Sequence, residues 1–170
     1  MSHIQKSYVF LILFIILNSC GYSLRGNQFL VANLGSIQLQ LARPNSEFSR
    51  ILRRDLEATG IHTVVSYLSQ EPNKETEHEL IVGNEEISNR PVTINSRARA
   101  AQYEMRLSVE VALKKNQAFL FEPELLFVDR VFFEDIQNIT GNQEEIRIIS
   151  SEMRQDLVSQ VLRRIESAIN

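Results

Sequence analysis

Thiol and imidazole side chains, common nucleophiles, bases and metal ligands, are scarce in this chain. It has one cysteine, Cys20, and three histidines, His3, His62 and His78, among 170 residues. A single thiol forms no intramolecular disulfide and no multi-cysteine zinc site. His78 sits in the acidic stretch Glu75-Thr76-Glu77-His78-Glu79. One imidazole among flexible carboxylates lacks the spacing that fixes a coordination geometry, so the stretch reads as a solvated loop. His62 follows Gly60-Ile61 at the start of a strand pattern. The carboxylate pairs Glu85-Glu86, Glu134-Asp135 and Glu144-Glu145 are sequence neighbours. Adjacency does not set two acids across a pocket at glycosidase distance. G-x-S-x-G, P-loop, H-E-x-x-H and G-x-G-x-x-G patterns are absent. No catalytic residue and no metal site is assigned, and an enzyme is not expected. Arginine is the more informative residue type. Arg97 and Arg99 precede a strongly alternating segment, Arg106 projects from its polar face, and Arg130 lies on the segment that follows. A guanidinium grips phosphate through two parallel hydrogen bonds. If the two segments pair as a hairpin about residues 115–117, these arginines share one anion-binding surface. The plain alternative is surface arginines paired with Glu104, Glu110 or Asp129.

Charge and composition narrow the classes further. The chain is 44% hydrophobic and 23% charged, with 18 basic and 21 acidic residues and a net charge of −3. That balance excludes bulk phosphate-driven nucleic-acid binding, which needs a basic excess. It also excludes wholesale disorder and a multi-span membrane protein.

The first residues read as an address. Met1–Ser7 is polar and holds Lys6, and Tyr8–Leu17 is an unbroken run of ten apolar residues. A membrane span needs about 20, so the run fits the apolar core of a secretory signal peptide over residues 1–19. Leu17-Asn18-Ser19-Cys20-Gly21 resembles the bacterial lipobox, with Asn18 where a smaller residue is usual. That resemblance makes Cys20 a site for diacylglycerol and N-acyl chains. Gly21 in place of an inner-membrane retention Asp favours the outer membrane of a Gram-negative cell. Without residues 1–19 the chain loses Lys6 and carries −4.

Hydropathy patterning supplies the elements. Residues 20–34 read as a lipidated tether and 35–170 as one domain. Ile37, Leu39 and Leu41 alternate with polar residues, which marks a strand with one buried face. After Arg43-Pro44-Asn45, Ser46 caps a helix carrying Phe48, Ile51, Leu52 and Leu56 at helical spacing, with Gly60 as its stop. Ile61–Leu68 reads as a second strand and Leu80–Ile94 as a long, irregular extended stretch. Gln102–Leu113 is the clearest strand, with Tyr103, Met105, Leu107, Val109, Val111 and Leu113 on one face. Lys114–Gln117 turns the chain, and Ala118–Phe133 returns beside it. Pro123 has no ladder donor and belongs at an edge or irregularity. Glu134–Asn142 reads as a loop, Asn142 with Glu145 as a capping box, and a long helix follows. Its stripe is Ile146, Ile149, Met153, Leu157, Val161, Leu162, Ile165 and Ile169, with Arg147, Arg154, Gln155, Arg163 and Glu166 on the outer face. Two amphipathic helices need an apolar sheet face to cover. The expected fold is therefore an α/β (α+β) two-layer sandwich, a small mixed sheet with both helices on one face.

Several segments, in order, resemble one family. Cys20-Gly21-Tyr22-Ser23-Leu24-Arg25-Gly26 resembles the mature start of the LptE lipopolysaccharide-assembly lipoproteins. Ala101-Gln102-Tyr103-Glu104-Met105 is similar to the family's entry into its central strand. Val128-x-Arg130-x-Phe132-Phe133 is similar to its next strand, and Ser151-Glu152-Met153 through Ile165 to its terminal helix. The resemblance implies a lipoprotein on the periplasmic face of the outer membrane. It implies a non-enzymatic role: plugging an LptD-type β-barrel, helping it assemble, and assisting lipopolysaccharide transport to the outer leaflet. Its partners would be that barrel and lipopolysaccharide, with no cofactor beyond the lipid on Cys20. A barrel lumen is polar and wet, which suits the hydrophilic strand face. The family's lipopolysaccharide contacts fall in the loop before the central strand, here Arg97 and Arg99, and in the loop before the last helix. The second loop, 136–143, holds no basic residue here. With Arg106 and Arg130 these arginines are the lipopolysaccharide-binding candidates. The rival readings are an unrelated outer-membrane lipoprotein with a small ligand-binding domain, and a periplasmic hydrolase built on a buried histidine beside a serine or carboxylate.

Overall fold

Alternation in the strands and 3.6-residue periodicity in the helices place the apolar side chains on facing surfaces, and the computed structural model closes those surfaces on each other. It describes residues 33–68, 76–94, 100–133 and 139–170. In chain order the elements are β1 (Ser36–Leu41), α1 (Glu47–Ala58), β2 (His62–Tyr67), β3 (His78–Val82), β4 (Glu86–Ile94), β5 (Ala100–Lys115), β6 (Ala118–Phe133) and α2 (Ile139–Ile169). The strands form one mixed six-stranded sheet. β1 lies parallel between β2 and β3, β3 is antiparallel to β5, and β5 is antiparallel to β6. β4 continues along the same edge of β5 that β3 begins, pairing Glu86 with Ser108 and Pro91 with Tyr103.

The long extended stretch of the sequence is thus two strands joined by a bulge. Gly83 donates its N–H to the Glu110 carbonyl at 2.8 Å. A β-carbon on Gly83 would lie in van der Waals contact with Glu110, at 3.4 Å. Asn116 and Gln117 both have positive φ, 49° and 69°, which gives the β5–β6 turn the twist that two-residue hairpins need. Pro123 falls where the β5–β6 register slips between Val111 and Leu113. Among the described residues β6 pairs only with β5, so the proline sits at a bulge on an edge strand, as its missing donor requires.

Both helices cover one face of the sheet. In α1 the Ser46 hydroxyl accepts from the Ser49 N–H at 3.1 Å, and Phe48, Ile51, Leu52 and Leu56 are buried. Gly60, at φ 92°, turns the chain away from the helix end. The α2 stripe is buried through Met153, Leu157, Val158, Val161 and Ile165, against Met105, Leu107, Val109, Val111 and Leu113 of β5. Leu34, assigned to the tether by sequence, is buried with this core. Among the described residues no helix is long and apolar enough to cross a membrane.

Three expectations are corrected. α2 starts at Ile139 and runs for 31 residues, so Asn142 lies inside the helix and is not its cap. Gly141 and Asn142 are half-buried there, and packing overrides their weak helix propensity. Arg154 is not on the outer face. Its side chain is 14% exposed and bonded to Glu85 and Glu47. His78 is not in a solvated loop. It opens β3, pairs in register with Ile37 and Lys115, and is 2% exposed.

Candidate functional site

The sheet face opposite the helices is where the chain meets its surroundings. Register decides which side chains stand on it. Arg106 pairs with Asp129, Glu104 with Val131, Ser108 with Phe127, Glu110 with Leu125 and Gln102 with Phe133. On β4, Glu86 pairs with Ser108, Ser88 with Arg106 and Arg90 with Glu104. The residues between them, such as Met105, Leu107 and Val128, face the helices and are buried. The open face therefore has two halves. β4 and β5 supply a polar column. β6 supplies Leu125, Phe127, Val131 and Phe133, which are 61%, 45%, 53% and 64% exposed. The hydrophilic face expected of the strands holds for β5 and fails for β6. These apolar residues stand as two pairs on either side of Asp129, and clustered exposed apolar residues mark a contact surface more often than isolated ones do.

The arginines of the polar column are already neutralised. Arg106 makes a two-pronged bond to Asp129, Nε to Oδ1 and Nη2 to Oδ2, each 2.7 Å. Its guanidinium lies 4.2 Å from the centre of the Phe127 ring, a cation–π contact. The Arg106 hydrogen bond holds the Asp129 carboxyl below its ordinary range, and the same bond raises the Arg106 guanidinium. Arg90 bonds Glu104 at 2.7 Å, and Lys114 approaches Glu79 at 3.9 Å.

Arg130 stands on the other side of the sheet. It bonds Asp156 of α2, and its Nη1 donates to the Asp129 carbonyl at 3.1 Å. Gln160 of α2 donates to the Phe127 carbonyl at 3.3 Å. These two side chains occupy acceptors along the free edge of β6. The expectation that Arg106 and Arg130 share one surface is thus corrected: β6 pairs Asp129 with Arg106, so Arg130, the next residue, points to the helices. Arg97, Arg99 and Cys20 lie outside the described residues.

Sequence reasoning missed two groupings. One is the apolar column of β6. The other is the cluster in which Arg154 of α2 binds Glu85 at 2.8–3.1 Å and Glu47 of α1 at 2.9 Å.

Among the described residues neither histidine side chain is hydrogen-bonded to a serine or a carboxylate. His78 lines a depression with Asn33, Ser36, His62 and Glu77, but no hydrogen bond joins it to Ser36, His62 or the Glu77 side chain among the described residues. Its buried Nε2 has no partner there. Burial, then the Lys115 charge, push its pKa below the ordinary 6.5 against the pull of Glu77. Among the described residues no group of three or more ligating side chains is arranged to hold a metal ion.

Comparison with known proteins places this architecture. It is similar to rare lipoprotein B from Shewanella oneidensis, with TM-score 0.67 and 16% identity over 78% of this chain and 94% of that one. It is similar to a lipoprotein B from Nitrosomonas europaea, with TM-score 0.62 and 20% identity over 85% and 90%. A minor lipoprotein from Acinetobacter baumannii gives TM-score 0.60 and 18% identity over 78% and 90%. No curated protein matches the chain by sequence. Residues 34–165, from the buried Leu34 through the last fully buried residue of α2, match the family model described as "LptE: Lipopolysaccharide-assembly", and the chain belongs to that family.

Proposed function

We propose that the protein is an acylated outer-membrane lipoprotein that occupies the lumen of an LptD-type β-barrel. It helps that barrel assemble and assists lipopolysaccharide on its way to the outer leaflet. The observation that carries this reading is the family match across residues 34–165. The leader and Cys20 support the anchoring half, and the similar folds from Shewanella oneidensis and Nitrosomonas europaea are themselves named lipoproteins. Each acyl methylene buried contributes about 0.8 kcal/mol, so several chains on Cys20 make a durable anchor.

The work is non-enzymatic: filling a pore and contacting an amphiphile. Arg106 and Arg130 are committed to Asp129 and Asp156, so phosphate contact falls to Arg97 and Arg99, in the segment between β4 and β5. The test is affinity capture of the full-length, C-terminally tagged protein after mild detergent extraction. A large β-barrel is expected in near-equal amount, and palmitate labelling is expected on the wild type and not on Cys20→Ala. Recovery of a lone monomer would favour an unrelated lipoprotein with its own small ligand and overturn the reading.

A further inference from the structure

The open face carries an uneven charge pattern beside an uneven apolar pattern, and together they describe what covers it. Arg90 and Glu104, Arg106 and Asp129, and Lys114 and Glu79 neutralise one another. Among the described residues two carboxylates flanking Ser108 are left over. Glu86 pairs with Ser108 across the β4–β5 ladder, and Glu110 lies two residues along the same face of β5. Both are exposed, and neither carboxylate has a hydrogen bond or ion pair among the described residues. Glu110 pairs in turn with Leu125, and Ser108 with Phe127. The leftover acids thus sit beside the apolar column of β6.

Resting on the proposed plug role, we infer that this face docks a polypeptide wall whose apolar side chains cover Leu125, Phe127, Val131 and Phe133, and whose lysine or arginine meets Glu86 and Glu110. The charge selects that occupant. A second copy of the chain laid face to face would oppose acid with acid, and like charges across an interface are strongly disfavoured. Lipid phosphates are repelled by the same two carboxylates. A small polycation would satisfy the acids and leave the column in water. Approach is face-on, because the β6 edge has its Phe127 and Asp129 carbonyls occupied by Gln160 and Arg130. The β4 edge carries Pro91 and two register shifts, features that blunt strand addition.

The experiment uses full-length protein extracted in mild detergent and scored for barrel recovered per chain. Glu86→Lys with Glu110→Lys is expected to lower recovery by about tenfold or more, equivalent to ~1.4 kcal/mol or more, with circular dichroism and thermal midpoint unchanged. Glu86→Gln with Glu110→Gln is expected to fall between, and Leu125→Ser with Val131→Ser to weaken capture without that charge dependence. Raising salt should weaken wild-type capture more than capture by the Gln variant. Undiminished recovery with the Lys variant overturns the inference and leaves the plug role standing. Failure of the wild type to recover any barrel overturns both.

Discussion

Arg154 grips Glu85 through three hydrogen bonds of 2.8–3.1 Å, with side chains 14% and 15% exposed. The pair joins α2 to the joint between β3 and β4, and Glu47 adds the start of α1 to the same guanidinium. One side chain thereby fixes how the outer half of the sheet, β4 with the ends of β5 and β6, leaves the helix layer.

Removing one partner should cost more than removing both. Arg154→Met leaves the largely buried Glu85 carboxylate unpaired and is expected to destabilise by about 1.5–3 kcal/mol. Adding Glu85→Leu should restore part of that loss, because an unpaired charge is worse than an apolar pair. Urea unfolding of the single and double variants measures the cycle. Equal costs for the single and double variants would mean that the pair does not hold the joint.

Arg97→Asp with Arg99→Asp is expected to weaken lipopolysaccharide binding and spare barrel capture. Arg106→Gln is expected to change lipopolysaccharide binding little, since its guanidinium already serves Asp129. Parallel binding assays on the purified variants decide it. A loss from Arg106→Gln equal to that of the loop pair would show that the guanidinium leaves its carboxylate for phosphate.

Leu157 is fully buried at the centre of the α2 stripe. Leu157→Ala should lower stability by about 2–5 kcal/mol. Leu157→Asp should prevent folding by burying an unpaired charge. A soluble Leu157→Asp variant with a native circular dichroism spectrum would contradict the stripe.

Acid should act in two stages. His78 is held below 6.5 in the fold, chiefly by burial and secondly by Lys115, so the unfolded chain takes up its proton first. Stability tied to the neutral imidazole is complete above pH 6.5 and declines as pH falls below it. Asp129 and Glu144 are lowered by their arginine partners from 3.8 and 4.5. Their contribution is present above those values and is lost only in stronger acid. Urea midpoints between pH 7.5 and 5 should fall for the wild type and flatten for His78→Phe. An unchanged slope would assign the first stage to another group.

The fold was legible wherever local pattern and local chemistry agreed. Ser46, the Phe48-to-Leu56 spacing and Gly60 defined α1, and the alternation from Tyr103 to Leu113 defined β5 and its buried face. Residues whose role depends on distant partners were harder. Arg154 reads as a solvent residue until Glu85, 69 positions away, is brought to it. His78 reads as loop until β1 and β5 close around it. The opposed arginines were readable in principle. A two-residue turn pairs even positions with odd ones, so Arg106 and Arg130 had to point to opposite faces. The two slips in register near Pro123 cancel in parity and leave that result intact.

The covering laid over β6 by Gln160 and Arg130 bears on how the molecule behaves in a crowd. A bare terminal strand recruits the next chain and begins a fibre. Here two of its acceptors, the Phe127 and Asp129 carbonyls, are already taken from within the same molecule. That partial cover lowers the tendency of copies awaiting delivery to knit edge to edge, while the face offered broadside stays open to a companion.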